Sequence, residues 1–109
     1  MARKESDLYK PILDWLNLQR GVKAWRNRNI PVLGRCLSPH ERGSPDILGV
    51  KKKSSGKNSW GQAFAFEVKA VGKEANKEQR LWLEDFTDCG GVGYIVDSLD
   101  NVIFVFTEI

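Results

Sequence analysis

Two segments of this chain are apolar on both sides of an extended backbone and still carry acids: GSPDILGV, residues 43–50, and FAFEVKA, residues 64–70. A strand with no polar face must be covered on both, which sets it in the middle of a sheet between layers. The stretch between them, KKSSGKNSWG, is rich in Lys, Ser and Gly and reads as the connection of a hairpin whose strands run over 45–51 and 62–70. If the hairpin is symmetric and Val50 pairs with Ala63, Asp46 falls opposite Glu67 with Cβ atoms ~5 Å apart. Two ionised carboxylates that close, away from water, repel each other unless one is protonated or a cation lies between them.

Alternation along the second strand puts Glu67 and Lys69 on the face of Ala63 and Ala65, and Phe64, Phe66 and Val68 on the other. A lysine therefore stands beside the acid pair. With a single histidine, His40, a His-based zinc site is a poor match, whereas two carboxylates and a backbone carbonyl suit Mg²⁺ or Mn²⁺, which take oxygen ligands. Such an ion polarises a phosphate, and an adjacent lysine can orient the attacking water or offset charge in the transition state. The chemistry this suggests is hydrolysis of a phosphodiester.

Elsewhere, Leu8, Ile12, Trp15 and Leu16 recur at helical spacing, so a helix is expected over 5–19, closed by Gly21. Pro is tolerated in a first turn, so if Pro11 marks that turn the helix starts near Leu8 and Glu5 lies outside it. A short strand over 22–28 is followed by a Pro- and Gly-containing loop over 29–43. ANKEQRLWLEDFTDCGG reads as a second helix with Asn76 as N-cap, Gln79 completing a capping box, and Gly90 and Gly91 as the stop. GVGYIVD and NVIFVFTEI read as two strands joined by the turn SLDN. The expected architecture is one α/β domain over 1–109, a mixed central sheet flanked by helices in the order α-β-β-β-α-β-β.

A length of 109 residues with 41% hydrophobic side chains suits one modest core, and a formal charge of +3 leans toward an acidic partner. Cys36 and Cys89 are too few and too far apart for a disulfide framework, which favours free thiols in a reducing compartment. No apolar run approaches the ~18 residues of a spanning helix, and MARKESD lacks the apolar core of a signal peptide. The expectation is a cytoplasmic protein with no membrane partner.

Pro45-Asp46 followed by Glu67-Val68-Lys69 resembles the PD-(D/E)xK nuclease signature. More specifically, ESDLYKPILDWL, AWRN, GSPDILGV, FEVKA and the later Gln79 with Trp82 resemble, in order and over nearly the whole chain, the virus-type replication-repair nuclease (VRR-NUC) family of stand-alone phage and bacterial domains. The resemblance implies a restriction-endonuclease-like core in which Asp46, Glu67 and the Val68 carbonyl hold Mg²⁺ or Mn²⁺ and Lys69 is the catalytic lysine. It further implies that Glu5 is an acid supplied by the first helix and that Gln79 approaches the site from the second. The implied activity is a metal-dependent, structure-selective DNA endonuclease, acting as a homodimer to resolve four-way (Holliday) junctions.

Basic residues that could hold DNA fall in two groups: Lys51, Lys52, Lys53 and Lys57 around the hairpin connection, and Arg26, Arg28, Arg35, His40 and Arg42, with Trp25 and Trp60 as stacking surfaces. Blander readings stand beside these. Ser-Pro-Asp is common turn chemistry, Gln79 serves a helix cap, and the lysines guard a solvated sheet edge. At the level of function, the alternatives are a non-catalytic module that binds branched or single-stranded DNA, a flap or nicking nuclease of the same fold, and a nuclease acting on RNA.

Overall fold

The computed structural model describes residues 4–27 and 40–109. Expectations for Arg28, Arg35 and Cys36 lie outside those residues. In chain order the elements are helix α1 (Ser6–Leu18), strands β1 (Val22–Arg26), β2 (Ile47–Ser55) and β3 (Asn58–Val68), helix α2 (Lys77–Asp88), strand β4 (Val92–Val96) and helix α3 (Leu99–Phe106). The strands form one mixed sheet in the order β1-β2-β3-β4, with β1–β2 and β2–β3 antiparallel and β3–β4 parallel. β2 and β3 are its central strands.

The hairpin has the expected register, Val50 opposite Ala63 and Ile47 opposite Phe66, but its strands run further than their apolar stretches. KKSS and NSW are strand residues, and the turn contracts to Gly56 and Lys57. Gly56 alone takes a positive φ of 60°, as the first central position of a type II′ turn requires.

Phe64, Phe66 and Val68 turn to one face of the sheet, where they meet Leu8, Ile12 and Leu16 of α1 and Val102 and Phe106 of α3 in a single core. Gly49 makes room there, because a Cβ at that position would overlap the Phe64 ring. On the other face the small Ala65 and Gly93 let α2 approach, and a Cβ on Gly93 would meet a Leu83 methyl at 2.7 Å. Helices thus cover both faces, and both helical layers converge near the end of the sheet where β2 begins and β3 ends.

One expectation is corrected. NVIFVFTEI is not a strand: Leu99–Phe106 is helical, so the order is α-β-β-β-α-β-α. Ser98 accepts from the Asn101 N–H at 3.0 Å while the Asn101 side chain accepts from Asp97 N–H at 3.2 Å, a reciprocal cap that starts a helix where SLDN reads as a turn. Leu99, Val102 and Phe106 then share a buried stripe at helical spacing.

The first helix, Ser6–Leu18, falls where 5–19 is expected and contains Pro11 within it. Pro11 removes only the bond to the Asp7 carbonyl, and Asp7 is exposed, so water can serve the orphaned acceptor. Glu5 is therefore the N-cap position of α1. Among the described residues, no helix is long and apolar enough to cross a membrane.

Candidate active site

Asn27, just past β1, fixes the entry to β2. Its N–H donates to the Asp46 carbonyl at 2.7 Å, and its side-chain amide donates to Ser44 Oγ at 3.1 Å and to the Pro45 carbonyl at 3.0 Å. Asp46 is thereby held one residue before the strand, and its carboxylate takes over the ladder: Oδ2 accepts from the Val68 N–H at 2.8 Å. In an extended strand the N–H and C=O of one residue point to the same side, so the Val68 carbonyl is directed toward Asp46 as well. The Lys69 N–H turns the other way, to the Val96 carbonyl at 2.8 Å.

Glu67 is the one buried charged residue of the described chain, 3% exposed. Its Oε1 accepts from Gln79 Nε2 at 2.9 Å and lies 3.7 Å from Lys69 Nζ. Its Oε2 is buried with no partner. Burial first, then the negative charge of Asp46, raises the Glu67 carboxyl from its ordinary 4.5 to about 8, against the opposing pull of Lys69. At neutral pH the pair accordingly shares a proton, and a cation could replace it.

Gln79 makes both contacts, one set to the helix start and one to Glu67. In the capping box of α2, the Asn76 side chain accepts from Gln79 N–H at 2.9 Å and Gln79 Oε1 accepts from Asn76 N–H at 2.8 Å, which leaves Nε2 aimed at Glu67. The chain packs tightly here, since a Cβ on Gly43 would overlap the Glu78 carbonyl. Glu5 makes no cap bond; its Oε1 instead accepts from Ala70 N–H at 3.3 Å, just beyond Lys69. Asp46, Glu67, Val68, Lys69, Gln79 and Glu5, drawn from four separate parts of the chain, are thus neighbours at one end of the sheet.

Tyr9 is the residue at this site that the sequence reading does not include. Its hydroxyl donates to Asp46 Oδ1 at 3.2 Å, and burial followed by the Asp46 charge raises its pKa to about 12. The usable signal was its position one helical turn after Glu5, on the stripe that leads to Ile12 and Leu16. Asn27 was likewise given no role, although it sits inside AWRN.

The donor set suits a small hard cation: two neighbouring carboxylates, a backbone carbonyl on the Asp46 side and a buried carboxylate oxygen with no hydrogen-bond partner. Among the described residues, no three His, Cys, Asp or Glu side chains form a group able to cage an ion by themselves, so water or phosphate oxygens would have to complete the shell.

The basic residues divide. Arg26 lies over the Tyr9 ring, its guanidinium carbon 3.4 Å from the centroid. Arg42 lies apart from the acids, on a cleft of about 540 Å³ formed with His40, Trp82 and Phe86 on the outer side of α2. Lys51 and Lys53 are not at a hairpin tip: both donate to the Ile109 backbone oxygen, at 3.2 and 3.0 Å, and Lys51 also sits over the Phe106 ring. Lys52 and Lys57 are exposed, and Trp25 and Trp60 are 45% and 47% exposed. No family model, curated protein or solved structure matches the chain.

Proposed function

We propose that this protein is a metal-dependent, structure-selective DNA endonuclease of the PD-(D/E)xK kind, resembling VRR-NUC domains, and that it resolves four-way junctions as a homodimer. The observation that carries the reading is the buried Glu67 Oε2, unpartnered beside Asp46 and Lys69. A purely structural acid would be expected to have that oxygen satisfied or exposed.

Asp46, Glu67 and the Val68 carbonyl would hold Mg²⁺ or Mn²⁺, with Glu5 close enough to join through water. The ion supplies Lewis acidity toward a phosphate oxygen and makes a water easier to deprotonate. Asp46 is fixed for this by Val68 N–H and Tyr9, and Glu67 by Gln79. Lys69, with a side chain 16% exposed, orients the attacking water or offsets charge building on the phosphate oxygens. The described residues contain one such constellation, so paired cuts across a branch point call for a twofold dimer.

The test is cleavage of an end-labelled four-way junction, with a linear duplex of the same arm sequence, in Mg²⁺, Mn²⁺ and EDTA. Paired symmetric cuts that require metal and spare the duplex are expected. Binding without cuts in either metal, equal or better in EDTA, would replace the nuclease by a non-catalytic DNA-binding module. A monomer by sedimentation, with metal-dependent cuts retained, would leave a flap or nicking nuclease.

A further inference from the structure

Arg26 ends β1 and is followed directly by Asn27, which clamps the entry to Asp46. Its guanidinium lies flat enough on Tyr9 to bring its carbon to 3.4 Å from the ring centroid, and the same tyrosine hydroxyl bonds Asp46 Oδ1. One aromatic side chain therefore joins a cation to the acid pair. The Nε of Arg26 is buried and has no acceptor, and none of the described carboxylates forms an ion pair with the guanidinium. Asp46 is engaged instead by Tyr9 and Val68, Glu67 Oε1 by Gln79 and Lys69, and Glu5 Oε1 by Ala70.

An arginine stacked on an aromatic ring keeps the edge of its planar fork free for a bidentate acceptor, and a guanidinium holds such a plane where an ammonium cannot. A buried donor left without an acceptor is costly unless something arrives to accept from it. Three carboxylates repel a phosphodiester backbone, and fixed positive charge beside them offsets that repulsion where the strand must approach most closely. We propose that Arg26 is a phosphate clamp, accepting one backbone phosphate of the strand that passes the Asp46–Glu67 pair, and that Tyr9 is the positioning residue serving both the clamp and Asp46. This rests on the nuclease reading for what happens after binding, and on geometry alone for the clamp.

The test uses the full chain and a fluorescent four-way junction, with affinity measured in Ca²⁺ across a salt series, cleavage in Mg²⁺, and thermal melting of each variant. For Arg26→Gln the affinity should fall on the order of tenfold and the slope of log K against log salt should flatten by about one, the signature of one lost phosphate contact. Arg26→Lys should keep the slope and lose a few-fold in affinity, because charge survives while the stacked fork does not. Tyr9→Phe should keep affinity and slope but cleave more slowly, since it retains the platform and loses only the bond to Asp46; Tyr9→Ala should lose both.

If Arg26→Gln and Arg26→Lys melt lower yet bind with unchanged affinity and slope, Arg26 merely pins α1 to β1 and the clamp is wrong. A wild type that binds DNA but cuts in neither Mg²⁺ nor Mn²⁺ removes the nuclease reading, while the slope still decides the clamp. A wild type that binds no DNA removes both.

Discussion

The two ends of the β2–β3 hairpin both carry charge and treat it in opposite ways. At one end Glu67 is 3% exposed with an oxygen that nothing satisfies. Toward the other, Lys52 and Lys57 are open to water, while the half-buried Lys51 and Lys53 each have an acceptor at 3.2 Å or less. By count the lysine end is the more charged, and a reading based on charge density would place function there. Burial reverses that judgement, because solvent neutralises the lysines at little cost whereas the acids persist only with a proton, a cation or a loss of stability.

The largest effect should come from breaking the buried end. Asp46→Ala or Lys69→Ala should reduce single-turnover junction cleavage on the order of 10²–10³-fold or more, with folding and much of the DNA affinity retained. Lys57→Ala should change the same rate by less than about twofold, as an exposed residue of the turn. Equal losses at both ends would mean that cleavage reports general DNA binding and that the acids are not the site.

The buried end should also leave a mark on stability. Glu67 titrates near 4.5 when unfolded and at about 8 when folded, so between those values the native state keeps a proton that the unfolded chain has released. Stability attributable to this group then falls as pH rises through that window and levels off above it. In EDTA, wild type should lose several degrees of melting temperature between about pH 5 and pH 8 relative to Glu67→Gln, which cannot titrate. Mg²⁺ should raise the wild-type melting temperature more at the upper pH, because it displaces a proton that is already loosely held. Parallel pH profiles for wild type and Glu67→Gln would remove the shared-proton picture.

These expectations rest on features that were unevenly legible in the sequence. The pairing of Asp46 with Glu67 could be read because alternation and a symmetric turn leave a hairpin one register, and a slip by one residue would turn Phe64 and Phe66 out of the core. The strand expected at α3 rests on the β-branched and aromatic composition of NVIFVF, and the capping of the Asn101 N–H by Ser98 outweighs that preference. Tyr9 could be placed from local pattern only on the Glu5 stripe of α1, and Asn27 not at all. Their hydrogen bonds reach 37 and 18 residues along the chain, so their roles exist only once α1 and β1 have packed.

Gln79 lies between these cases and allows a finer cut, since one side chain serves the helix and the site. Asn76→Ala removes the N-cap and should cost about 1 kcal/mol of stability with a modest change in cleavage. Gln79→Ala removes the returning bond of the capping box and also the bond to Glu67, so cleavage should fall further than it does for Asn76→Ala at a similar cost in stability. If cleavage in the two variants simply follows their melting temperatures, Gln79 is a cap and nothing more.

The smallest effects should separate the lysines by neighbouring side chains and not by charge. Successive residues of β2 point to opposite faces, so Lys51 and Lys53 lie over α3 while Lys52 faces away. Burial, then the nearby Lys53 charge, lowers the pKa of Lys51, as expected of an ammonium held against Phe106 and the Ile109 oxygen and withdrawn from water. Lys51→Ala should therefore lower the melting temperature by a few degrees and leave the salt dependence of DNA binding unchanged. Lys52→Ala should do the reverse: if Lys52 meets a phosphate, the slope of log K against log salt flattens by no more than about 0.9, and the melting temperature stays put. Salt slopes and melting curves on the two single variants are enough to decide. A slope that changes for Lys51→Ala would mean that α3 gives up its lysine when DNA arrives, and the hairpin's far end would then belong to the binding surface after all.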